Sequence, residues 1–388
     1  MAQGLTPIRR VVTGQDARGR SRIVWDGPAP NIHDYAAQKT PHGSGRGWTD
    51  LWVFDECPAP LSGDSDDGNK SYPFPAAATG AHLRIVQYQA PRPGYDAAQD
   101  PDVVPPHAPK KRAVGQTWDR GGRDSFSSGI HKTESVDYGI LMEGERTLIL
   151  DDRELLMRPG DVVVQLGNWH GWRAATDCRM AFVMIGASYD AGSPAAAGHP
   201  PITPAKVPEG VKPVRRIVTV ANANDKSTAI SDGGAPEVRT DPARPGFASA
   251  CIWVTDATPA PIKGIHETLH LPHTLEPPAR GSVCRVVTLP PDEVWKRRVG
   301  AREVRAYFEA MGSPGASTYS TQAPHPYMQK TRTLEFCLVL EGEITLVLDT
   351  GDLRLNAGDV VVQRGTNHAW SNLSGRPAVV AISSHDAR

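Results

Sequence analysis

His131, Thr133, Ser135 and Asp137 stand at every second position of the stretch HKTESVD. On a β-strand alternate side chains share a face, so these four point one way while Val136 and Tyr138 point the other. Further along, in GDVVVQLGNWHGW, His170 and Trp172 share parity. If the two strands are neighbours, His131, Asp137 and His170 converge. Two imidazoles and a carboxylate form a donor set that leaves positions open on a divalent ion. Such an ion can polarise a substrate oxygen. The spacing alone does not choose among iron, manganese, zinc and nickel.

The elements that must position these residues occur twice. HKTESVDYGILMEGE (131–145) returns without a gap as QKTRTLEFCLVLEGE (329–343). PIRRVVT (7–13) returns as PVRRIVT (213–219), and LWVFDECPAP (51–60) as IWVTDATPAP (252–261). RPGDVVVQLGNWHGW (158–172) returns as NAGDVVVQRGTNHAW (356–370). The copies are far too long for solenoid units and indicate a duplicated domain. Apolar runs broken by EGE and PGD turns predict short strands, hence an antiparallel sandwich or barrel.

The join is read at residues 188–212, a Pro/Ala/Gly-rich linker without period. It separates an N-terminal domain, 1–187, from a C-terminal domain, 213–388. A second irregular stretch, 91–124, precedes the first histidine segment and reads as a substrate lid or a disordered insertion. The second copy carries EVRAYFEAMG (303–312) there, a short helix with Gly312 at its C-terminal cap.

Composition removes several function classes. The 42 Lys and Arg nearly balance 43 Asp and Glu, which argues against a nucleic-acid partner or an electrostatic membrane binder. No apolar run approaches the ~18 residues of a membrane helix, and MAQGLTPIRR has no apolar leader. Five cysteines without a Cys-x-x-Cys spacing suit a reduced interior. The expectation is a soluble, cytoplasmic protein.

The two repeated motifs resemble those of the cupin superfamily, G-x5-H-x-H-x(3,4)-E-x6-G and G-x5-P-x-G-x2-H-x3-N. In the first copy His131 takes the first histidine position, Thr133 the second, Asp137 the glutamate position and Gly144 the closing glycine. Gly160 and His170 match the second motif. The second copy has Gln329, Thr331, Glu335, Gly342, Gly358 and His368 at the same places. The match covers about half of the chain. Neither copy has the His-x-His pair, the first has Asp for Glu, and the second also lacks the first histidine.

The resemblance implies an all-β fold of two jelly-roll barrels with one divalent metal per chain, held in the first by His131, His170 and Asp137. Asp is one methylene shorter than Glu, so Asp137 is either a ligand, direct or through water, or the group that orients a histidine. Thr133 and Ser135 would hold waters or substrate oxygens, and Trp172 would line the pocket. Gln329, Glu335 and His368 form a degenerate second site, since a neutral amide is a weak ligand. The second barrel then serves as the partner that single-barrel relatives obtain by dimerising, and the chain is expected as a monomer or a homodimer. A dioxygenase leads; a redox-neutral lyase, isomerase or decarboxylase, or a non-catalytic binding protein, is the alternative.

Other motifs are set aside. HETLH (266–270) matches the zinc-protease H-E-x-x-H, but Pro259, Pro261, Gly264 and Pro272 leave barely one helical turn. A loop is expected. His325 precedes Pro326 and also reads as loop. Cys337 shares parity with Glu335 and reads as a buried apolar residue.

Overall fold

The GDVVV and LVL runs become strands whose two faces feed different cores. In the strand Ser135–Glu143, Val136, Tyr138 and Ile140 enter a core shared by both halves of the molecule. Leu141 and Asp137 face the interior of the first half. The strand Thr333–Glu341 repeats this, with Leu334, Phe336 and Leu338 in the shared core and Cys337 and Val339 in the second interior. The computed structural model describes residues 5–34, 46–61, 65–70, 74–91, 93–96, 99, 104–112, 116–122, 129–174, 176–192, 202–265 and 267–388.

Each half has a large sheet and a three-stranded sheet, in the same order. The first large sheet runs Ser227–Gly234, Arg215–Ala221, Val162–Leu166, Ser135–Glu143, Cys178–Gly192, Ala81–Tyr88, Arg46–Phe54, Asn31–Asp34. The second runs Ser21–Pro28, Arg9–Gln15, Val360–Arg364, Thr333–Glu341, Ala378–Asp386, Ser282–Leu289, Ala248–Thr255, Val238–Thr240. Across from them lie Glu154–Met157, Arg146–Ile149 and Gly171–Ala174 in one half, and Gly351–Asn356, Glu343–Leu348 and His368–Ser371 in the other. The fold is the expected duplicated all-β jelly roll, although the facing sheets are separate and do not close through hydrogen bonds. Gly144 and Gly342 make the EGE turns at φ 74° and 78°. A Cβ on Gly144 would stand 2.0 Å from the Asp177 carbonyl oxygen.

The leading hairpin of each copy is laid on the other half. Arg9–Gln15 runs parallel to Val360–Arg364, and Arg215–Ala221 parallel to Val162–Leu166. Arg9 pairs with Asp359 at 2.9 Å, as Arg215 does with Asp161 at 2.8 Å. The next residue reaches back to its own copy. Buried Arg10 binds Asp66 and the Leu51 carbonyl, and buried Arg216 binds Glu267 and the Ile252 carbonyl.

That last pair explains HETLH. Glu267 is the second copy's counterpart of Asp66, a partner for a buried arginine. The described residues around it form no helix, and His270 is exposed; His266 lies outside the described residues. Of the linker, the strand Cys178–Gly192 takes the first part and 193–201 lie outside the described residues. Parts of 91–124 also lie outside them. Within that stretch, however, Lys110–Lys111 and Thr117–Asp119 form a small sheet with His131–Thr133. The helix of the second copy spans Ala301–Ala310, with Gly312 at φ 64° beyond its end. Its Val304, Tyr307 and Phe308, spaced for one helical face, enter the second interior. Among the described residues no helix is long and apolar enough to cross a membrane.

Candidate functional site

His131 and His170 are brought together by backbone pairing. The His131 amide donates to the His170 carbonyl and the His170 amide to the His131 carbonyl, each at 2.9 Å. Directly paired positions project their side chains to one face, and the two ring centroids are 4.4 Å apart. Each Nδ1 faces a backbone carbonyl: His170 that of Asn168 at 3.0 Å, His131 that of Gly129 at 3.5 Å. A proton on Nδ1 leaves the Nε2 lone pair free.

Asp137 lies on the adjoining strand Ser135–Glu143 and lines the same cavity as the two histidines. Burial pushes its carboxyl up to about 7, and a hydrogen bond with Ser135 opposes the rise. Its Oδ1 has no hydrogen-bond partner among the described residues. Burial also lowers both histidines, His170 to about 4 and His131 well below its ordinary value. The charge of His170 lowers His131 further. Both rings are therefore neutral at pH 7, the form that donates a lone pair to a metal. Two neutral imidazoles with oriented Nδ1 atoms and a carboxyl oxygen without a partner fit a divalent ion.

Thr133 and Ser135 are buried and bond each other at 2.7 Å. Neither lines the cavity. Ser135 in turn bonds Asp137, so the two hydroxyls follow the expected face but stand behind the carboxyl group instead of on the cavity wall. Trp172 lines the cavity, 6.0 Å from the His170 ring.

The cavity has a volume of about 360 Å³, within the range of small-molecule sites. Its wall includes residues that the motif spacing did not reveal: Asp50, Arg84, Tyr88, Arg112, Arg146 and Phe182. Arg84 donates to both oxygens of Asp50, at 2.6 and 3.1 Å. One signal for Arg146 was present in the repeat. It aligns with Ile344, a charged residue against an apolar one, just as His131 aligns with Gln329.

The second half keeps the backbone and closes the site. Gln329 and His368 exchange backbone hydrogen bonds at 2.8 and 2.9 Å, as His131 and His170 do. The Gln329 amide lies 3.3 Å from His368 Nε2. Glu335 accepts from Ser384 at 2.7 Å and lies 3.7 Å from His368 and 3.8 Å from Arg285. Only about 30 Å³ of space remains. Arg244 fills the interior, paired with Asp241 at 2.7 Å and stacked 3.7 Å from Tyr327 and 4.2 Å from Tyr307. His325 is buried 3.5 Å from Asp292 and is not part of this cavity's wall.

A second donor cluster, not anticipated, joins Glu237, Cys251 and His273 within 4.8 Å. Burial pushes the Cys251 thiol up to about 12. Glu237 is already shared between His273 at 3.1 Å and Arg239 at 3.3 Å. The carboxylate therefore already has two partners.

The duplicated jelly roll, with strand-borne histidines and a carboxyl group turned into its chamber, agrees with what the two motifs implied. The family model described as Cupin domain matches residues 317–384, within the second copy. Over 170 residues the chain is 27% identical to the cupin-domain-containing oxidoreductase virC of Hypocrea virens, across 43% of this chain and 71% of that protein. It is 56% identical over 48 residues to phomopsin biosynthesis cluster protein C' of Diaporthe leptostromiformis, 12% of this chain and a span of only 25% of that relative. The putative glyoxylate induced protein of Pseudomonas aeruginosa aligns over 90% of this chain and 83% of its own, at 11% identity and a TM-score of 0.38. The second copy thus carries a Cupin domain, and the repeat builds the first copy on the same plan.

Proposed function

We propose that the protein is a metal-dependent oxidoreductase whose working site is the cavity of the first half, acting on a small organic molecule. The observation that carries this reading is the joint state of His131, His170 and Asp137: two neutral rings with Nδ1 turned to carbonyls, and Oδ1 of Asp137 without a partner. The relatives named as cupin-domain-containing oxidoreductases support the reaction class.

His131 and His170 would hold the ion through Nε2, with the carboxyl of Asp137 as third donor or as the group that orients a histidine. A bound divalent ion of the iron, manganese, zinc or nickel type polarises a substrate oxygen, and a redox-active one supplies the chemistry of a dioxygenase. The residues of the chain do the rest. The Gly129 and Asn168 carbonyls orient the two rings. If Asp137 only orients a histidine instead of ligating the ion, it would be the residue placed to accept or return a proton at Oδ1. Trp172, Phe182 and Tyr88 present apolar faces that exclude water.

The test is elemental analysis of protein purified without chelator, followed by oxygen uptake with candidate substrates. About one metal per chain and substrate-dependent oxygen uptake are expected. Metal without oxygen uptake, but with turnover, would assign the site to a redox-neutral lyase. No metal after reconstitution would reduce the protein to a small-molecule binder.

A further inference from the structure

The first cavity contains one positive charge that no described residue answers. Arg146 begins the strand Arg146–Ile149 and is 1% exposed. Its guanidinium carbon lies 4.0 Å from the Tyr88 ring centroid, 4.7 Å from Trp172 and 5.7 Å from Phe182. Its Nε and Nη1 have no hydrogen-bond partner among the described residues. The other arginines of the wall are paired, Arg84 with Asp50 and Arg112 with Asp119. Asp137 is not the missing counter-ion, because its Oδ1 is also without a hydrogen bond.

Burying a guanidinium without an anion opposes folding, and stacking on the three rings offsets only part of that cost. The second half shows what completes such a group. There Arg244, likewise stacked on aromatic rings, has Asp241 at 2.7 Å from within the chain. That half has about 30 Å³ left. In the first half the arginine is in place, no carboxylate among the described residues pairs with it, and about 360 Å³ stands beside it.

We propose that the first cavity takes a small organic acid, its carboxylate held by Arg146 and its apolar body packed against Trp172, Phe182 and Tyr88. A guanidinium presents coplanar N–H donors that match a carboxylate, and its faces stack on rings. Trp172 joins the two groups, its ring 4.7 Å from the Arg146 guanidinium carbon and 6.0 Å from the His170 ring, on one cavity wall. An acid anchored there therefore lies beside the proposed metal ligands. The inference names the substrate class of the site proposed above and rests on that reading only in taking this cavity as the working one.

The experiment is calorimetric titration of the full chain with matched pairs: benzoate and benzamide, cinnamate and cinnamamide, hexanoate and hexanamide. Inorganic phosphate is a further ligand. Titrations are run on metal-loaded and on chelator-treated protein. At least one acid should bind tenfold or more tightly than its amide, with or without metal. Arg146→Met should remove that preference and change amide affinity less than threefold. Its melting temperature should equal or exceed that of the wild type, since a buried unpaired charge has gone. Should Arg146→Met not fold, Arg146→Lys, which keeps the charge but not the planar fork, should weaken the acid at least threefold.

Three results overturn the inference: no acid preferred over its amide, a preference that survives both Arg146 variants, or phosphate binding more tightly than every acid. A preference lost on chelation and in His131→Ala, yet intact in Arg146→Met, places the carboxylate on the metal. It overturns the role of Arg146 while leaving the metal reading standing. The converse result, acid binding through Arg146 in protein that takes no metal, upholds this inference and removes the oxidoreductase.

Discussion

His131 and His170 form a directly opposed cross-strand pair, each amide bonded to the other's carbonyl at 2.9 Å, with ring centroids 4.4 Å apart. Gln329 and His368 repeat the backbone bonds in the second half without the second imidazole. Strand pairing there depends on amides and carbonyls, so the histidine is free to change without loss of the ladder. His131→Ala should therefore abolish metal binding, whereas His368→Ala should leave metal per chain unchanged. Mass spectrometry after dialysis reads both. Metal lost from His273→Ala and kept in His131→Ala would move the centre to the Glu237 cluster.

Asp137→Asn keeps shape and removes charge. With Asp137 as a direct ligand, metal affinity should fall by more than the ~100-fold upper range expected for groups that only orient ligands. A competition titration against a chelator measures it. A smaller loss would give Asp137 the orienting role.

Glu267→Ala should leave Arg216, whose side chain is 2% exposed, buried without its partner. Breaking one side of such a pair typically costs about 3–5 kcal/mol. Urea unfolding should show a loss of that order with metal content unaltered. Metal loss with stability intact would return HETLH to the list of metal sites.

His385 is held between Phe54 of the first half and Phe336 of the second, at centroid distances of 5.3 and 5.0 Å. Burial lowers it to about 3. Below its unfolded value of about 6.5 the unfolded chain binds a proton that the folded chain refuses. Stability is thus full above about 6.5 and declines as the pH falls toward 3, by about 1.4 kcal/mol per pH unit for this one proton. His385→Gln should shallow the slope by that amount in denaturant titrations from pH 7 to pH 4.

The crossed hairpins predict mutual dependence of the halves. Residues 1–187 and 213–388, produced separately, should fail to give cooperative unfolding transitions, because each lacks the strand that pairs with its GDVVV segment. Co-expressed, they should co-purify as a complex. Two independently cooperative halves would show the hairpin exchange to be dispensable.

Periodicity and repetition in the sequence were enough for the duplicated all-β fold and the EGE turns. They also placed the strand faces of Val136, Tyr138 and Asp137, and the helix ending before Gly312. These follow from local rules: alternate residues of a strand diverge, and a left-handed turn position favours glycine. The likeness of the GDVVV segments also carried His170 and His368 to matching places. What depends on partners distant in the chain was decided by tertiary structure. The hairpins cross because Val162 and Arg216, or Arg10 and Val360, stand in register only after both halves assemble. Glu267 is an arginine's partner, not a protease base, because Arg216 arrives from another strand. Thr133 and Ser135 are engaged with each other and with Asp137, and do not line the cavity that their parity alone had assigned them. And Arg146 is distinguished by having no acidic partner among the described residues. A counter-ion's absence is a property of three-dimensional packing, which no spacing along a chain encodes.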